Sequence, residues 1–363
     1  MIKRVAIVGV GLIGSSLGLA LKELEDIKEV VGIDKNEEYL EEALTIGAID
    51  KKADLIDGVK EVDLLIFATP VGVVKPLVEM VIPYLKEGTI ITDVGSTKSI
   101  LVEEIEEVVA DFPYVGGHPM TGSEVVGPTG ADKYLFENAI YVLTETEKTD
   151  KEDLNKLKSL LEGIGAQVLI LSPKHHDQIV ALTSHLPHIV AVNLMNVIAK
   201  QSQDDELITS LTAGGFRDTT RIAAGDPTMW RDIFLANKDM VLESIDYFQE
   251  ALEEFKSLIV LEEDQGLFDN LAQARQDRLE VPIKKKGLLP TNYELILTLE
   301  DRPNAIGEVA YLLGREEINI QDIEVLKVRE DGGTLRLSFV KEEEQIKGCS
   351  LLKEAGYKVI KKK

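Results

Sequence analysis

The sequence predicts an α/β chain in three parts: an N-terminal doubly wound parallel sheet, an all-helical middle, and a small C-terminal βαββαβ module. Three observations carry this. A β-branched run from Ile2 to Val8 ends in Gly9, Gly11 and Gly14, spaced G-x-G-x-x-G, and a helical period follows it. Strand signals then alternate with amphipathic stretches to about Leu171, stop, and resume only near Tyr293. At 363 residues, 44% of them apolar, the chain exceeds one ordinary core and has the material for several.

In the first part, Ile13, Leu17, Leu21 and Leu24 recur four and three apart, the buried face of a helix lying back on the sheet. Gly9 permits the tight turn, Gly11 lets backbone N–H groups approach a pyrophosphate, and Gly14 lets helix and strand pack closely. The helix opening at Leu12 and Ile13 faces a diphosphate with its positive end. A second strand, EVVGID, ends in Asp34, twenty residues past the last glycine. A carboxylate there accepts ribose hydroxyls and repels a 2′-phosphate, so this Rossmann-like fingerprint predicts NAD over NADP. Further strands are expected at Leu64 to Ala68, Ile90 to Thr92, Ala139 to Leu143 and Val168 to Leu171. Ligands of such sheets bind beyond the carboxyl ends of the strands, where ATPV (with Thr69 and Pro70), DVGSTKS (with Ser96) and GGHPMTGSE (with His118, Ser123 and Glu124) would converge on one crevice.

All five histidines fall between His118 and His188. Imidazole, with an ordinary pKa of about 6.5, exchanges protons near neutrality, so a histidine beside a nicotinamide points to redox chemistry with a histidine base. Pro119 restricts His118 to extended backbone, which helps to aim the ring.

The net charge of −24, from 64 acidic and 40 basic side chains, opposes nucleic acid and anionic membranes as partners. An anionic substrate must be held by a local basic cluster. The single Cys349 excludes an intrachain disulfide and a thiolate metal cage, and a cytoplasmic setting is the expectation. No metal is expected, and no stretch of about 20 apolar residues is expected to span a bilayer.

From Ser172 to about Glu280 the chain reads as helix. TSHLPH sets Ser184, His185 and His188 on a long apolar segment, with His185 and His188 on one face and Pro187 expected to kink it. These histidines can line a cavity or serve as hydrogen-bonded packing. Arg217 and Arg221 lie four apart, on one expected helix face, with Arg231 following Trp230, the only tryptophan. Guanidinium forks suit carboxylates, although Asp218 and Asp232 can instead neutralise them as surface pairs.

VPIKKKGLLP, 281–290, has the composition of a linker. Beyond it, Tyr293, Leu295, Leu297 and Leu299 alternate as a strand, and the signals continue in the order βαββαβ. The expected domains are 1–171, 172–280 and 291–363.

GVGLIGSSLG from Gly9, DVGSTKS, GGHPMTGSE, TSHLPH and GGFRDTTRIAAGDPTMWRDIF from Gly214 together resemble the prephenate dehydrogenase family over nearly the whole chain. The resemblance implies NAD-dependent oxidative decarboxylation of prephenate to 4-hydroxyphenylpyruvate in tyrosine biosynthesis. It implies that His118 engages the C4 hydroxyl and takes its proton, that Ser96 orients it, and that Arg221 holds the ring carboxylate. It also gives His188, His185, Ser184, Arg217 and Trp230 to the substrate pocket, and Ser123 and Glu124 to its rim. The last segment resembles an ACT domain, ferredoxin-like in fold, which implies tyrosine as a feedback ligand near Asp301, Asn304, Ala305, Ile306, Asn319 and Ile320, and a homodimer. Asn304 departs from that family's loop, which often has glycine there; asparagine tolerates left-handed backbone. Arogenate (cyclohexadienyl) dehydrogenase is the nearest alternative. A β-hydroxyacid dehydrogenase would need a lysine motif that is not evident, and a non-catalytic NAD-sensing regulator would not need His118, Ser96 and Arg221 together.

Overall fold

The computed structural model describes residues 2–109, 111–122, 125, 127–205, 207–280, 293–300, 302–329 and 332–362. It falls into two units, Met1–Gly287 and Leu288–Lys363. The expected linker, 281–290, lies outside the described residues, as do Ser123, Glu124 and Asp301.

The first unit opens with β1 (Arg4–Val8), α1 (Leu12–Leu21), β2 (Glu29–Ile33), α2 (Glu37–Thr45), β3 (Lys51–Lys52), α3 (Leu55–Gly58), β4 (Leu64–Phe67), α4 (Val74–Val81), β5 (Ile90–Asp93), α5 (Ser99–Val108) and β6 (Tyr114–Val115). These six strands form one sheet in the order β3-β2-β1-β4-β5-β6, every pair parallel. Along β1 the side chains of Val5 and Ile7 enter one core and those of Ala6 and Val8 the other. Leu64 and Ile66 alternate with Leu65 and Phe67 in the same way, which is why both strands read as continuous apolar runs. Gly9 turns the chain at φ 96°, and a Cβ on Gly14 would lie 1.9 Å from the Gly9 carbonyl oxygen. Helix α1 stops at Leu21, so Leu24 packs on the core from the turn beyond it and not from the helix.

The expectation of a single sheet reaching Leu171 needs correction. After β6 come β7 (Gly117–Pro119), β8 (Ile140–Thr144), α6 (Lys151–Gly163) and β9 (Gln167–Leu171), and these strands make a separate three-stranded sheet, β7-β8-β9. β7 runs antiparallel to β8, and β8 parallel to β9. Gly116, between β6 and β7, is where the chain changes sheet, and a Cβ there would lie 2.5 Å from Thr144 Oγ1. A two-residue strand followed at once by a three-residue one leaves no periodicity to read.

Ser172 caps the next helix, accepting the His175 amide at 3.3 Å, with Pro173 in the first position, where its missing N–H costs nothing. α7 (Pro173–Val180) passes through a π-helical turn, Ala181–His185, into α8 (Leu186–Gln201). Instead of a bare kink, the wider turn accommodates Pro187, which lacks the amide an α-helix would bond to Thr183. By length and composition the run Pro173–Gln201 is apolar enough to cross a membrane, which corrects the expectation that the chain has no such stretch; only 28% of its most apolar window is buried in the chain. α9 (Leu207–Ser210), α10 (Gly214–Thr220), α11 (Pro227–Ala236), α12 (Lys238–Val260) and α13 (Asp264–Glu280) complete the unit. α10 ends at Thr220, and Arg221 begins a 3₁₀ turn, Arg221–Ala224, so Arg217 and Arg221 do not share one α-helical face as the spacing predicts.

The second unit consists of β10 (Tyr293–Leu299), α14 (Ala305–Arg315), β11 (Asp322–Arg329), β12 (Gly332–Phe339), α15 (Glu342–Glu354) and β13 (Lys358–Lys362). Its sheet is antiparallel in the order β11-β12-β10-β13. Leu295, Leu297 and Leu299 alternate into a core with Val309, Leu313, Leu337 and Cys349. Asn304 starts α14 from the left-handed region at φ 68°. Replacing Asn304 with alanine is expected to destabilise this unit by about 1 kcal/mol, while glycine is tolerated better, because left-handed backbone costs other residues roughly that much. The check is hydrogen exchange of α14 amides in the two variants: equal protection in both would remove the backbone argument.

Candidate active site

Two carboxylates with no exposure build the crevice beyond the ends of β4 and β5. Asp93 closes β5, and its Oδ2 accepts the Gly95 amide at 2.7 Å and pairs with Lys98 Nζ, both side chains being fully buried. Its Oδ1 accepts the Tyr114 hydroxyl at 2.8 Å and the Gly117 amide at 3.3 Å. The loop bearing half-buried Ser96 is thereby clamped to the start of β7. Burial and then the Asp93 charge push the Tyr114 phenol well above its ordinary range, so it stays a donor.

Asp177, on α7, supplies the second carboxylate. Oδ1 accepts the Lys98 amide at 2.8 Å and Oδ2 the Ser99 amide at 2.7 Å. Its neighbour His176, 1% exposed, meets Oδ1 through Nδ1 at 2.8 Å. Burial alone would raise the Asp177 carboxyl; the His176 bond and the backbone amides outweigh it and leave the group below its usual value. His176 Nε2 then meets Nδ1 of His118, on β7, at 2.8 Å, with the rings edge to face. His118 is half-buried, and its pKa lies well below the ordinary value because of desolvation, then the fields of His176, Lys98 and His185. It is therefore a neutral imidazole at neutral pH.

The helical residues form an aromatic wall. The His188 ring stacks on Trp230 at 3.6 Å between centroids and 12° from parallel, and His185 meets Trp230 and Phe234 edge-on. Gly225 permits this approach, since a Cβ would lie 2.5 Å from Trp230 Nε1. The 3₁₀ turn that begins at Arg221 packs on α8. Asn237, at the α11–α12 corner, donates through Nδ2 to the Asp177 carbonyl at 2.9 Å and lies 3.3 Å from His185 Nδ1. Burial lowers His185 to about 4 and also lowers His188, whose Nδ1 is buried without a hydrogen-bond partner among the described residues.

Of the residues singled out in the sequence, His118, His185, His188 and Trp230 are therefore gathered into buried or half-buried contacts, and Ser184 is half-buried on the π-helical turn. Arg217 and Arg221 are both exposed, and Arg231 pairs with Asp232 at 2.7 Å, the surface pairing considered for it. At the glycine turn, nothing lies within 4 Å of a Cβ on Gly11, so that backbone is open to a ligand at the amino end of α1. Half-buried Asp34 accepts the Val10 and Asn36 amides, each at 2.9 Å, which fixes its carboxylate at the end of β2. Thr69 Oγ1 is buried without a partner among the described residues, and Pro70 is exposed at the end of β4. The open turn, the fixed carboxylate and the orphaned hydroxyl fit a dinucleotide. His176 and Asp177 were not singled out from the sequence. Their signal is modest: an adjacent His-Asp pair near the start of a helix that follows a strand.

Residues 17–170 match the nucleotide-binding domain of prephenate dehydrogenase, and residues 172–273 match the prephenate dehydrogenase dimerization domain. The chain is 39% identical to the prephenate dehydrogenase of Bacillus subtilis (strain 168), covering 94% of this chain and 93% of that one. It is 36% identical to the prephenate dehydrogenase of Lactococcus lactis subsp. cremoris (strain MG1363), covering 97% and 98%. Among solved structures, that of prephenate dehydrogenase from A. aeolicus in complex with hydroxyphenyl propionate and NAD+ superposes with a TM-score of 0.74 at 34% identity, over 78% of this chain and 99% of that one. A parallel nucleotide-binding sheet joined to a helical dimerization domain is the architecture of a dehydrogenase class. Within that class, the chain belongs to the prephenate dehydrogenase family.

The depressed histidines have a thermodynamic consequence. In the unfolded chain a histidine binds its proton below about 6.5, whereas folded His185 refuses one until about 4. As pH falls through that window the unfolded state binds more protons, so stability drops; above it the term vanishes. Urea midpoints between pH 7 and 4 are expected to fall less steeply for His185→Gln than for the parent. Parallel slopes would contradict the burial argument.

Proposed function

We propose that this protein is an NAD-dependent dehydrogenase that oxidatively decarboxylates prephenate to 4-hydroxyphenylpyruvate. Its membership of the family and its two long matches to prephenate dehydrogenases support the reaction. The observation that carries the chemistry is the neutral His118 ring, held by His176 in the strand that follows the Asp93 loop.

Gly9, Gly11, Leu12, Ile13 and Gly14 would hold the diphosphate of NAD, Asp34 its adenosine ribose, and Thr69 and Pro70 the wall beside it. Bound NAD+ supplies the acceptor for the C4 hydride. His118 takes the C4 hydroxyl proton, which lets the carbon release hydride and is worth typically ~10²- to 10⁴-fold in rate. Ser96 orients that hydroxyl. Arg221 grips the ring carboxylate before it leaves as CO2, and Arg217 adds positive charge to the substrate pocket; a guanidinium fork binds a carboxylate through two parallel hydrogen bonds. His188, His185, Ser184 and Trp230 shape the pocket, and the family resemblance adds Ser123 and Glu124 at its rim.

The dimerization-domain match and the exposed apolar residues Leu235, Leu242, Leu252 and Phe268 of α11 to α13 support a homodimer. We read the second unit as an ACT domain that binds tyrosine, with Asp301, Asn304, Ala305, Ile306, Asn319 and Ile320 as the residues that the family resemblance gives to the ligand. The βαββαβ order and the left-handed Asn304 support this reading.

Incubation with NAD+ and prephenate, followed as NADH formation, is expected to give turnover. Turnover with arogenate alone would move the assignment to the amino-acid substrate, and none with either would leave a regulator. His118→Asn is expected to lower kcat by about two or more powers of ten with little change in KM. Unchanged steady-state rates in that variant would remove His118 from the chemistry.

A further inference from the structure

We propose that His176 and Asp177 are positioning residues that keep the proton of His118 on Nδ1 and leave its Nε2 bare to act as the base. The inference rests on the proposed role of His118 and goes beyond it by fixing which ring nitrogen reacts.

The argument is a chain of donors and acceptors that begins at backbone, where the roles are not negotiable. The amides of Lys98 and Ser99 can only donate, at 2.8 and 2.7 Å, and Asp177 receives one on each carboxylate oxygen. A buried carboxyl accepting on both oxygens is ionised, an acceptor throughout. His176 Nδ1, 2.8 Å from the same Oδ1, therefore carries a hydrogen. We take His176 as neutral: Nε2 then has only a lone pair, and the 2.8 Å contact with His118 places the hydrogen on His118 Nδ1. The remaining His118 nitrogen, Nε2, has the free lone pair.

Each contact is short, and His176 and Asp177 are at most 1% exposed, so water does not offer the His176 ring or the Asp177 carboxylate a substitute partner. Asn237 fixes the Asp177 backbone from the far side by its 2.9 Å bond to the carbonyl. When His118 Nε2 takes the substrate proton, the imidazolium keeps its Nδ1–H on His176 and faces, one ring away, the Asp177 charge. The arrangement thus both selects the tautomer and stabilises the cation that forms.

The tautomer is read directly in the full-length protein with isotope-labelled histidine, from long-range proton–nitrogen correlations of the ring at neutral pH, His118 being assigned through His118→Asn. Hydrogen on Nδ1 of both His118 and His176 is expected. Hydrogen on His118 Nε2, or on both nitrogens of His176, overturns the proposal. Kinetics give a second arm through two variants. His176→Leu keeps bulk but offers no acceptor, and is expected to lose about a hundredfold in kcat with KM for NAD+ and prephenate within about threefold. His176→Gln can accept from His118 and donate to Asp177, and is expected to recover at least about tenfold of that loss. Equal impairment in both variants, or a change confined to KM, would reduce the pair to packing. If His118→Asn keeps full activity while the tautomer is as assigned, the base assignment fails and the positioning geometry stands.

Discussion

A carboxylate taken wholly out of water must be met by donors, and the way Asp177 is met decides how the site is assembled. Leaving an ionised group buried and unpaired costs far more than a single hydrogen bond returns, so its partners are held firmly in place. Those partners are two amides from the loop after β5 and an imidazole that leads on to β7, while the residue's own carbonyl receives Asn237 from the α11–α12 corner. One residue of α7 thereby fixes the nucleotide-binding sheet against the helical wall. Asp93 does the same within the sheet, gathering Gly95, Lys98, Tyr114 and Gly117 around one fully buried side chain.

The electrostatic character of the crevice differs from that of the whole molecule. A net charge of −24 repels an anion at long range, yet the immediate neighbours of His118 are the His176 ring and a lysine whose charge is already matched by Asp93. Desolvation keeps His118, His185 and His188 uncharged, so they offer lone pairs and flat surfaces instead of cations. Arg217 and Arg221, by contrast, lie exposed to solvent, at the end of α10 and in the 3₁₀ turn that follows it.

Much of this was legible in the residues. Gly9, Gly11, Gly14 and Asp34 were readable because a glycine turn between a strand and a helix leaves a spacing that depends only on local geometry. The βαββαβ order of the second unit followed from period-2 runs such as Leu295, Leu297 and Leu299. What local pattern could not supply was partnership across the chain. The break between two sheets hangs on a change of direction at Gly116, and the pairing of His118 with His176 joins residues 58 apart. Spacing also misled at Arg217 and Arg221, where a change from α to 3₁₀ geometry at Thr220 undid the four-residue repeat. The proline signal at Pro187 was real, but its structural answer was a wider turn.

That wider turn at Ala181–His185 sits between two sets of side chains with separate duties: His176 and Asp177 before it, His188 after it. Each residue of a helix advances the chain by roughly 100° about the axis. Gaining or losing one residue in the segment would swing the stacked His188 away from Trp230 while leaving Asp177 on its amides. The number of residues between those two anchors is therefore as constrained as their identity, and length variation in this part of the chain should be confined to places outside the interval.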